Sequence, residues 1–256
     1  MAKLQGKTAI ITGATGGIGE ATAKLFLQEG ANVMLVGRSS GKLKETLSRL
    51  GAKQTLAHCV ADATDEAATV AAVDATTKAF GGIDILFANA GTEGLLKPIE
   101  TYSSAEFEQV LHTNVMGVWF AIKHCVEPMK KRGKGSIIAT ASVAGVVGFA
   151  NSAPYIASKH AVCGLVKAAA LELAGAGIRV NGIAPGAIDN RMIQSVITQL
   201  APGNAAAVRE GIRESIPMKR YGTNEEIASL VAFLASDEAS YSTGTIFLAD
   251  GGLTTG

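Results

Sequence analysis

Cysteine and proline are scarce in this chain, neither charge sign prevails, and no long uninterrupted apolar run occurs. Cys59, Cys125 and Cys163 are the only cysteines in 256 residues. An odd number without metal-ligand spacing argues against a disulfide framework and leaves buried apolar filler as the role of each. His58, His112, His124 and His160 form no paired-ligand motif, so no metal site is assigned. No proline-rich linker, internal repeat or low-complexity tract divides the chain, which predicts one domain over residues 1–256. Basic residues number 23 and acidic residues 22, and nothing in their distribution suggests a nucleic-acid-binding basic patch. The densest basic cluster, Lys130-Lys131-Arg132, reads as a solvated helix end, where cations suit the helix dipole. The most apolar helical stretch, about residues 161–173, is interrupted by Lys167 and Glu172, so no membrane span is predicted. The N-terminus passes almost directly into the first strand and leaves no room for a signal peptide. The expected protein is soluble and cytoplasmic, with no nucleic-acid or membrane partner.

What the chain does have is apolar residues, 48% of the total, and a glycine-rich turn. The run Thr8-Ala9-Ile10-Ile11 leads into Thr12-Gly13-Ala14-Thr15-Gly16-Gly17-Ile18-Gly19. Glycines at 13, 17 and 19 allow a sharp bend, close approach to a pyrophosphate and tight packing of the next helix on the strand. That helix starts near Gly17, carries Ile18, Ala21, Leu25 and Phe26 at helical spacing, and aims its positive end at the same place. The spacing departs from Gly-x-Gly-x2-Gly, so a tight turn without a ligand stands as the alternative.

Seven apolar, β-rich runs recur, at about residues 7–12, 32–36, 54–60, 83–88, 135–141, 178–183 and 245–248. Several are continuous rather than alternating, as parallel strands covered on both faces are, and helical stretches separate them. The fold predicted is α/β, a Rossmann-type doubly wound, seven-stranded, mainly parallel sheet with helices on both faces. Ligands in such sheets sit beyond the carboxyl ends of the strands. There the chain places the glycine turn, Gly37-Arg38-Ser39, Asp62, Asn89-Ala90-Gly91, Ser142 and Pro185-Gly186. Turn chemistry accounts for several of these, and Asp62 could cap the following helix. It does not account for Tyr155 and Lys159, four residues apart on one helix face after Pro154. A cation near a phenol favours phenolate and makes the group a better acid or base near neutrality.

These residues resemble the pattern of the short-chain dehydrogenases/reductases. Thr12-Gly13-x3-Gly17-Ile18-Gly19, Asp62, Asn89-Ala90-Gly91, Asn114, Ser142, Tyr155-x3-Lys159, Asn181, Pro185-Gly186 and Asp250-Gly251-Gly252 follow its order across nearly the whole chain. The resemblance implies that Tyr155 exchanges a proton with a carbonyl or alcohol oxygen and that Ser142 hydrogen-bonds the same oxygen. It implies that Lys159 binds the nicotinamide ribose and favours the tyrosinate, and that Asn114 holds a water joining Lys159 to solvent. Asn114 satisfied by backbone and Ser142 capping a turn are the plain alternatives. Further cofactor contacts fall by resemblance on Gly13, Thr15, Gly17, Ile18, Arg38, Ser39, Asp62, Ala63, Asn89, Ala90, Gly91, Pro185, Gly186, Ile188 and Asn190. The enoyl-reducing branch spaces its Tyr and Lys more widely; the residue seven before Lys159 is Ser152, which disfavours reduction of a carbon–carbon double bond.

The end of the second strand favours NADP(H) over NAD(H), because Arg38 can pair with a 2′-phosphate where an NAD enzyme usually places a carboxylate. Such charge-assisted bonds contribute about 1.5–3 kcal/mol. Gly16 opposes this, since NADP-using relatives often place a second basic residue there, and Arg38 could be a solvent-facing turn residue. Asn190 stands where relatives have a threonine that holds the nicotinamide carboxamide. Residues 191–216, broken at Pro202-Gly203, resemble the segment that covers the substrate, with an ordinary surface helix pair as the alternative. Candidate substrate contacts are Glu93, Val143, Phe149, Asn151, Ala187 and Met192, whose mostly apolar character suits a ketone or secondary alcohol. Glu93 and Asn151 could bind hydroxyls, so an NAD-dependent polyol or alcohol dehydrogenase is an alternative. So is a 3-oxoacyl-carrier-protein reductase, although Leu171 and Ala176 replace the arginines expected to dock the carrier. A non-catalytic NADP-sensing module is disfavoured because Asn114, Ser142, Tyr155 and Lys159 are all retained. The resemblance also implies a homotetramer.

Overall fold

A computed structural model describes residues 2–51, 53–201 and 203–255. A parallel sheet in the order β3-β2-β1-β4-β5-β6-β7 runs through its centre. The strands are β1 (Thr8–Thr12), β2 (Asn32–Gly37), β3 (Leu56–Val60), β4 (Ile85–Ala88), β5 (Gly135–Thr140), β6 (Ile178–Pro185) and β7 (Ile246–Ala249). All six pairings are parallel, so the sheet is wholly rather than mainly parallel. The expected strands are all present, with ends displaced by up to two residues. Extension of β6 through Pro185 comes from its pairing with β7, which aligns Pro185 with Ala249.

The helices are α1 (Gly17–Gln28), α2 (Ser40–Leu50), α3 (Glu66–Phe80), α4 (Ser104–Leu111), α5 (Gly117–Arg132), α6 (Ala153–Leu173), α7 (Arg191–Leu200), α8 (Ala205–Ser215) and α9 (Asn224–Ala235). Neighbouring residues of β1 serve opposite layers. Ile10 joins a core with α3, α5 and α6, whereas Ala9 and Ile11 join a second core with α1 and α9. This two-sided burial is why the strand has no polar face. β3 lies at the sheet edge and is correspondingly less covered, so Cys59 is only partly buried while Cys125 and Cys163 are core residues as expected.

Two local expectations are corrected. Arg132 is not merely a solvated cation at the end of α5, because its guanidinium forks onto the Asp84 carboxylate at 3.0 and 3.1 Å. Asp84, buried, also accepts the Thr8 amide at 2.8 Å and so joins the starts of β1 and β4 to the end of α5. Nor does Asp62 cap α3; Asp65 does, through the amide of Ala68, and Asp62 closes a turn on Thr64. Of the expected break between α7 and α8, Pro202 lies outside the described residues. Among the described residues no helix is long and apolar enough to cross a membrane.

Replacing Asp84 with Ala should lower the unfolding free energy by about 1–3 kcal/mol, because the Thr8 amide is left buried without its acceptor. Urea denaturation would show it, and a change within error would mean that the bond to Thr8 contributes nothing net.

Candidate functional site

The site is assembled where β1, β4 and β5 end. Thr12, the last residue of β1, uses its Oγ1 to accept the amides of Asn89 at 3.0 Å and Ala90 at 3.1 Å. Asn89 donates from Nδ2 to the Gly13 carbonyl at 3.3 Å and accepts at Oδ1 from Thr140 Oγ1 at 3.1 Å. Gly13 has φ +63°, and a Cβ there would lie 2.9 Å from Ala90 Cα. A Cβ on Gly19 would overlap the Gly13 carbonyl oxygen. Both glycines are therefore required by packing alone, whatever the turn binds.

Lys159 and Tyr155 come from the N-terminal third of α6, with Pro154 in its first turn as the sequence suggests. Lys159 is buried, donates from Nζ to the Thr140 carbonyl at 2.7 Å, and stands 5.6 Å from the centre of the Tyr155 ring. Ser142 follows β5 and accepts the Ala144 amide at 3.2 Å, so the plain capping role is real; its hydroxyl also interacts with the Tyr155 phenol. Glu93, buried in the loop after β4, adds its negative field to the same phenol.

Burial controls the electrostatics. It pushes the Lys159 ammonium down to about 8. Tyr155 is raised, first by burial and further by Glu93, with Ser142 acting in the opposite sense. The net effect on the phenol is upward, with burial its largest cause.

Asn114 occupies a π-helical segment, His112–Met116, between α4 and α5. Its amide donates to the Thr92 carbonyl and to Ser158 Oγ, each at 2.9 Å, and its Oδ1 accepts the Thr92 amide at 2.8 Å. Ser158 in turn donates to the Tyr155 carbonyl at 2.7 Å. The helix is bulged rather than broken, and Asn114 ties the Thr92 loop to the turn of α6 that carries Tyr155. π-Bulges of this kind recur at functional sites.

A family model described as "Enoyl-(Acyl carrier protein) reductase" matches residues 13–254. Levodione reductase of Leifsonia aquatica is 41% identical over 249 residues, covering 96% of this chain and 93% of the relative. The chain belongs to the short-chain dehydrogenase/reductase family. A 2,5-dichloro-2,5-cyclohexadiene-1,4-diol dehydrogenase of Sphingobium indicum is 38% identical over 255 residues, 99% of each chain. A crystal structure of levodione reductase superposes with a TM-score of 0.96 at 40% identity, covering 98% of this chain and 99% of that one. An NAD+-bound xylitol dehydrogenase superposes at 0.93 with 36% identity, covering 98% and 100%. As a short-chain dehydrogenase/reductase the protein is an oxidoreductase of a family that uses a nicotinamide cofactor.

The residues present fit such a cofactor. No side chain caps α1, so the first-turn amides of Gly17 and Ile18, without intrahelical acceptors, are free to meet a diphosphate. Around this turn the structure gathers most of the expected cofactor contacts. Thr15 lies beside Gly37, Ser39 caps α2, and exposed Arg38 adds its positive field to Asp62. Ala63 packs on Gly117, where a Cβ would meet it at 3.2 Å, and Gly91 lies beside Asn114 and Lys159. Pro185 ends β6, Gly186 makes room for Asp250, and Ile188 is buried in a backbone bridge to Gly222. Asn190 caps α7, accepting the Met192 and Ile193 amides at Oδ1, so this amide group is already partly committed.

The substrate candidates divide. Glu93 and buried Val143 lie beside Tyr155 and Ser142 respectively, and Ala187 and Met192 flank the start of α7. Phe149 and Asn151 instead line a groove of about 430 Å³ with Lys97, Pro98, Ile99 and Ile156. Sequence reasoning assigned no role to Thr140, Ser158, Gln199 or Asn224. Thr140 could have been found as a strand end; the others are defined by long-range contacts. Among the described residues no group of His, Cys, Asp and Glu could hold a metal ion.

A pH prediction follows from Lys159. Its folded value near 8 lies below the ordinary 10.5, so the unfolded chain binds more protons between those limits and stability rises with pH across that window. Below about pH 8 this contribution is flat. The unfolding free energy of the cofactor-free wild type minus that of Lys159→Met, from urea curves between pH 7.5 and 10, should rise by at most about 1.4 kcal/mol per pH unit, because the thiols that burial raises act in the opposite sense on both proteins alike. Parallel curves for the two proteins would contradict the assignment.

Proposed function

We propose that this protein interconverts a ketone and a secondary alcohol with NADP(H) as the preferred cofactor, using Tyr155 as general acid and base. The observation that carries the reading is the convergence of the Tyr155 phenol, the Ser142 hydroxyl and the Lys159 ammonium at the ends of the central strands. When bound, the nicotinamide supplies or accepts the hydride. Desolvation and the field of Glu93 keep Tyr155 as a neutral phenol, the form that donates a proton to a carbonyl oxygen during reduction. Ser142 orients that oxygen and stabilises the charge it gains. Lys159, held by Thr140, is placed to bind ribose hydroxyls and to oppose negative charge on the phenol. Asn114 positions the turn that carries Tyr155, with proton relay to solvent through a water its expected further role.

The substrate class best supported is a cyclic ketone or ring alcohol. The diol dehydrogenase carries a name that specifies an oxygenated six-membered ring, and Glu93 offers a buried acceptor for a second hydroxyl. Glu93 pairs with Arg191 of α7 at 3.4 Å, which supports reading α7 as part of a substrate cover. An NAD-dependent polyol or alcohol dehydrogenase is the second reading, favoured by the NAD+-bound xylitol dehydrogenase and by Gly16. NADP(H) rests on Arg38, exposed just after β2, whose positive field reaches Asp62 after β3. We read the whole chain as one functional unit acting in the cytoplasm as a homotetramer. Exposed Trp119 on α5, Leu171 on α6 and Leu248 on β7 are apolar positions suited to subunit contact.

Tyr155→Phe should lower kcat/KM for ketone reduction about 100- to 10,000-fold while leaving the NADPH dissociation constant within about threefold. Unchanged turnover would remove Tyr155 from the mechanism. Arg38→Ala should reduce kcat/KM for NADPH at least about tenfold more than for NADH, the loss of one charge-assisted hydrogen bond. Equal losses with the two cofactors would favour the NAD reading.

A further inference from the structure

We propose that Asn224 is a cofactor-positioning residue: its carboxamide, lodged against Gly17 and bonded to Asn190, makes the diphosphate-binding turn and the first turn of α7 one rigid unit. The inference rests on the reading of the crevice as a dinucleotide site.

Three local structures bring the parts together. After β6, Asp189 donates its amide to the Gly222 carbonyl at 2.9 Å and Gly222 donates its amide to the Ala187 carbonyl at 3.0 Å, so the chain before α9 runs as a short ladder beside the chain before α7. A Cβ on Gly222 would lie 2.6 Å from Ile188 Cδ1, so a side chain there would have to push the end of Ile188 aside. Next, Thr223 and Glu226 form a reciprocal capping box at the start of α9, and Arg220 clamps Glu226 at 2.7 and 2.9 Å. Asn224 is the first residue inside that box, which fixes its backbone. Finally, its side chain reaches two places at once. Oδ1 accepts from Asn190 Nδ2 at 3.3 Å, and the whole carboxamide occupies the volume a Gly17 side chain would fill, 2.5 Å from Oδ1 and 2.8 Å from Nδ2.

A side chain at Gly17 would therefore have to displace the Asn224 carboxamide, whatever it does to a diphosphate. Among the described residues Asn224 Nδ2 donates to no protein acceptor, and it lies beside the uncapped first turn of α1, where a diphosphate would be bound. Asn190, at the other end of the bond, is by resemblance to the family the residue that would meet the nicotinamide carboxamide. One amide thus links the two places that a bound dinucleotide must span. The same link explains how Asn190 can replace a smaller residue there: its Oδ1 is spent on capping α7 and its Nδ2 is oriented by Asn224.

Two variants separate this role from a merely structural one. Asn224→Asp keeps the shape and the acceptor used by Asn190, and its charge at the first position of α9 suits the helix dipole, so Tm should be unchanged or higher. The same charge stands beside the diphosphate turn. The dissociation constants of NADPH and NADH, read from cofactor fluorescence, should rise about tenfold at low salt and less at high salt. An unchanged dissociation constant would overturn the proposal. The second arm is a cycle. Gly17→Ala should weaken NADPH binding at least tenfold by displacing the Asn224 amide, and Gly17→Ala in an Asn224→Gly background should cause a much smaller further loss. Additive losses would show that Gly17 serves the cofactor without Asn224, which also overturns the proposal, and this arm decides the matter if Asn224→Asp does not fold. A wild-type protein that binds neither NADPH nor NADH would remove the cofactor reading itself, whereas normal wild-type binding with insensitive variants removes only the role of Asn224.

Discussion

Three backbones meet at the carboxyl edge of the sheet at a distance that only glycine permits. Gly13 lies against Ala90, Gly19 lies against Gly13, and the amides of Asn89 and Ala90 both end on Thr12 Oγ1. Asn89 extends this contact to Thr140 at the end of β5, and the Thr140 carbonyl then holds Lys159. A chain of hydrogen bonds therefore runs from the glycine turn to the ammonium group across β1, β4 and β5. Loosening the first contact would move the last, because each link takes its position from the one before it.

The same close packing sets the chemistry by excluding water. A positive charge beside a phenol ordinarily stabilises phenolate, and the Tyr155-x3-Lys159 spacing invites that reading. Here burial acts on both groups and in opposite senses, lowering the lysine to about 8 and raising the tyrosine. The pair as folded favours the neutral phenol. Negative charge on Tyr155 is then least costly when further positive or hydrogen-bonding groups enter the crevice, which couples proton transfer to the presence of ligands rather than to the resting protein.

The frame was legible because its signals are local. Apolar, β-rich runs marked all seven strands, and the glycine turn, Ser142, Tyr155 and Lys159 lie at positions that strand-end and helix-spacing arguments reach directly. The fine bounds were not, since β6 continues through Pro185 only because β7 pairs with it. Long-range contacts were invisible for a related reason. Arg132 looked like a solvated helix end, yet its partner Asp84 is 48 positions away. Nothing near Asn224 in sequence points to Gly17. The edge position of Cys59 likewise depends on strand order, which composition does not contain.

Substrate choice sits in contacts of this second kind. Gln199 of α7 accepts the Leu96 amide at 3.0 Å and donates to the Gly94 carbonyl at 3.3 Å, behaving toward that loop as a short strand would. Arg191, at the other end of the same helix, pairs with Glu93. The loop bearing Glu93 is thus held at both ends by one amphipathic helix, and moving that helix moves the carboxylate relative to Tyr155. A levodione reductase and a xylitol dehydrogenase superpose on this chain with TM-scores of 0.96 and 0.93, so a common sheet does not by itself set the substrate. Specificity in this architecture can change through α7 and its few anchoring bonds while the hydrogen-bonded frame from Thr12 to Lys159 stays as it is.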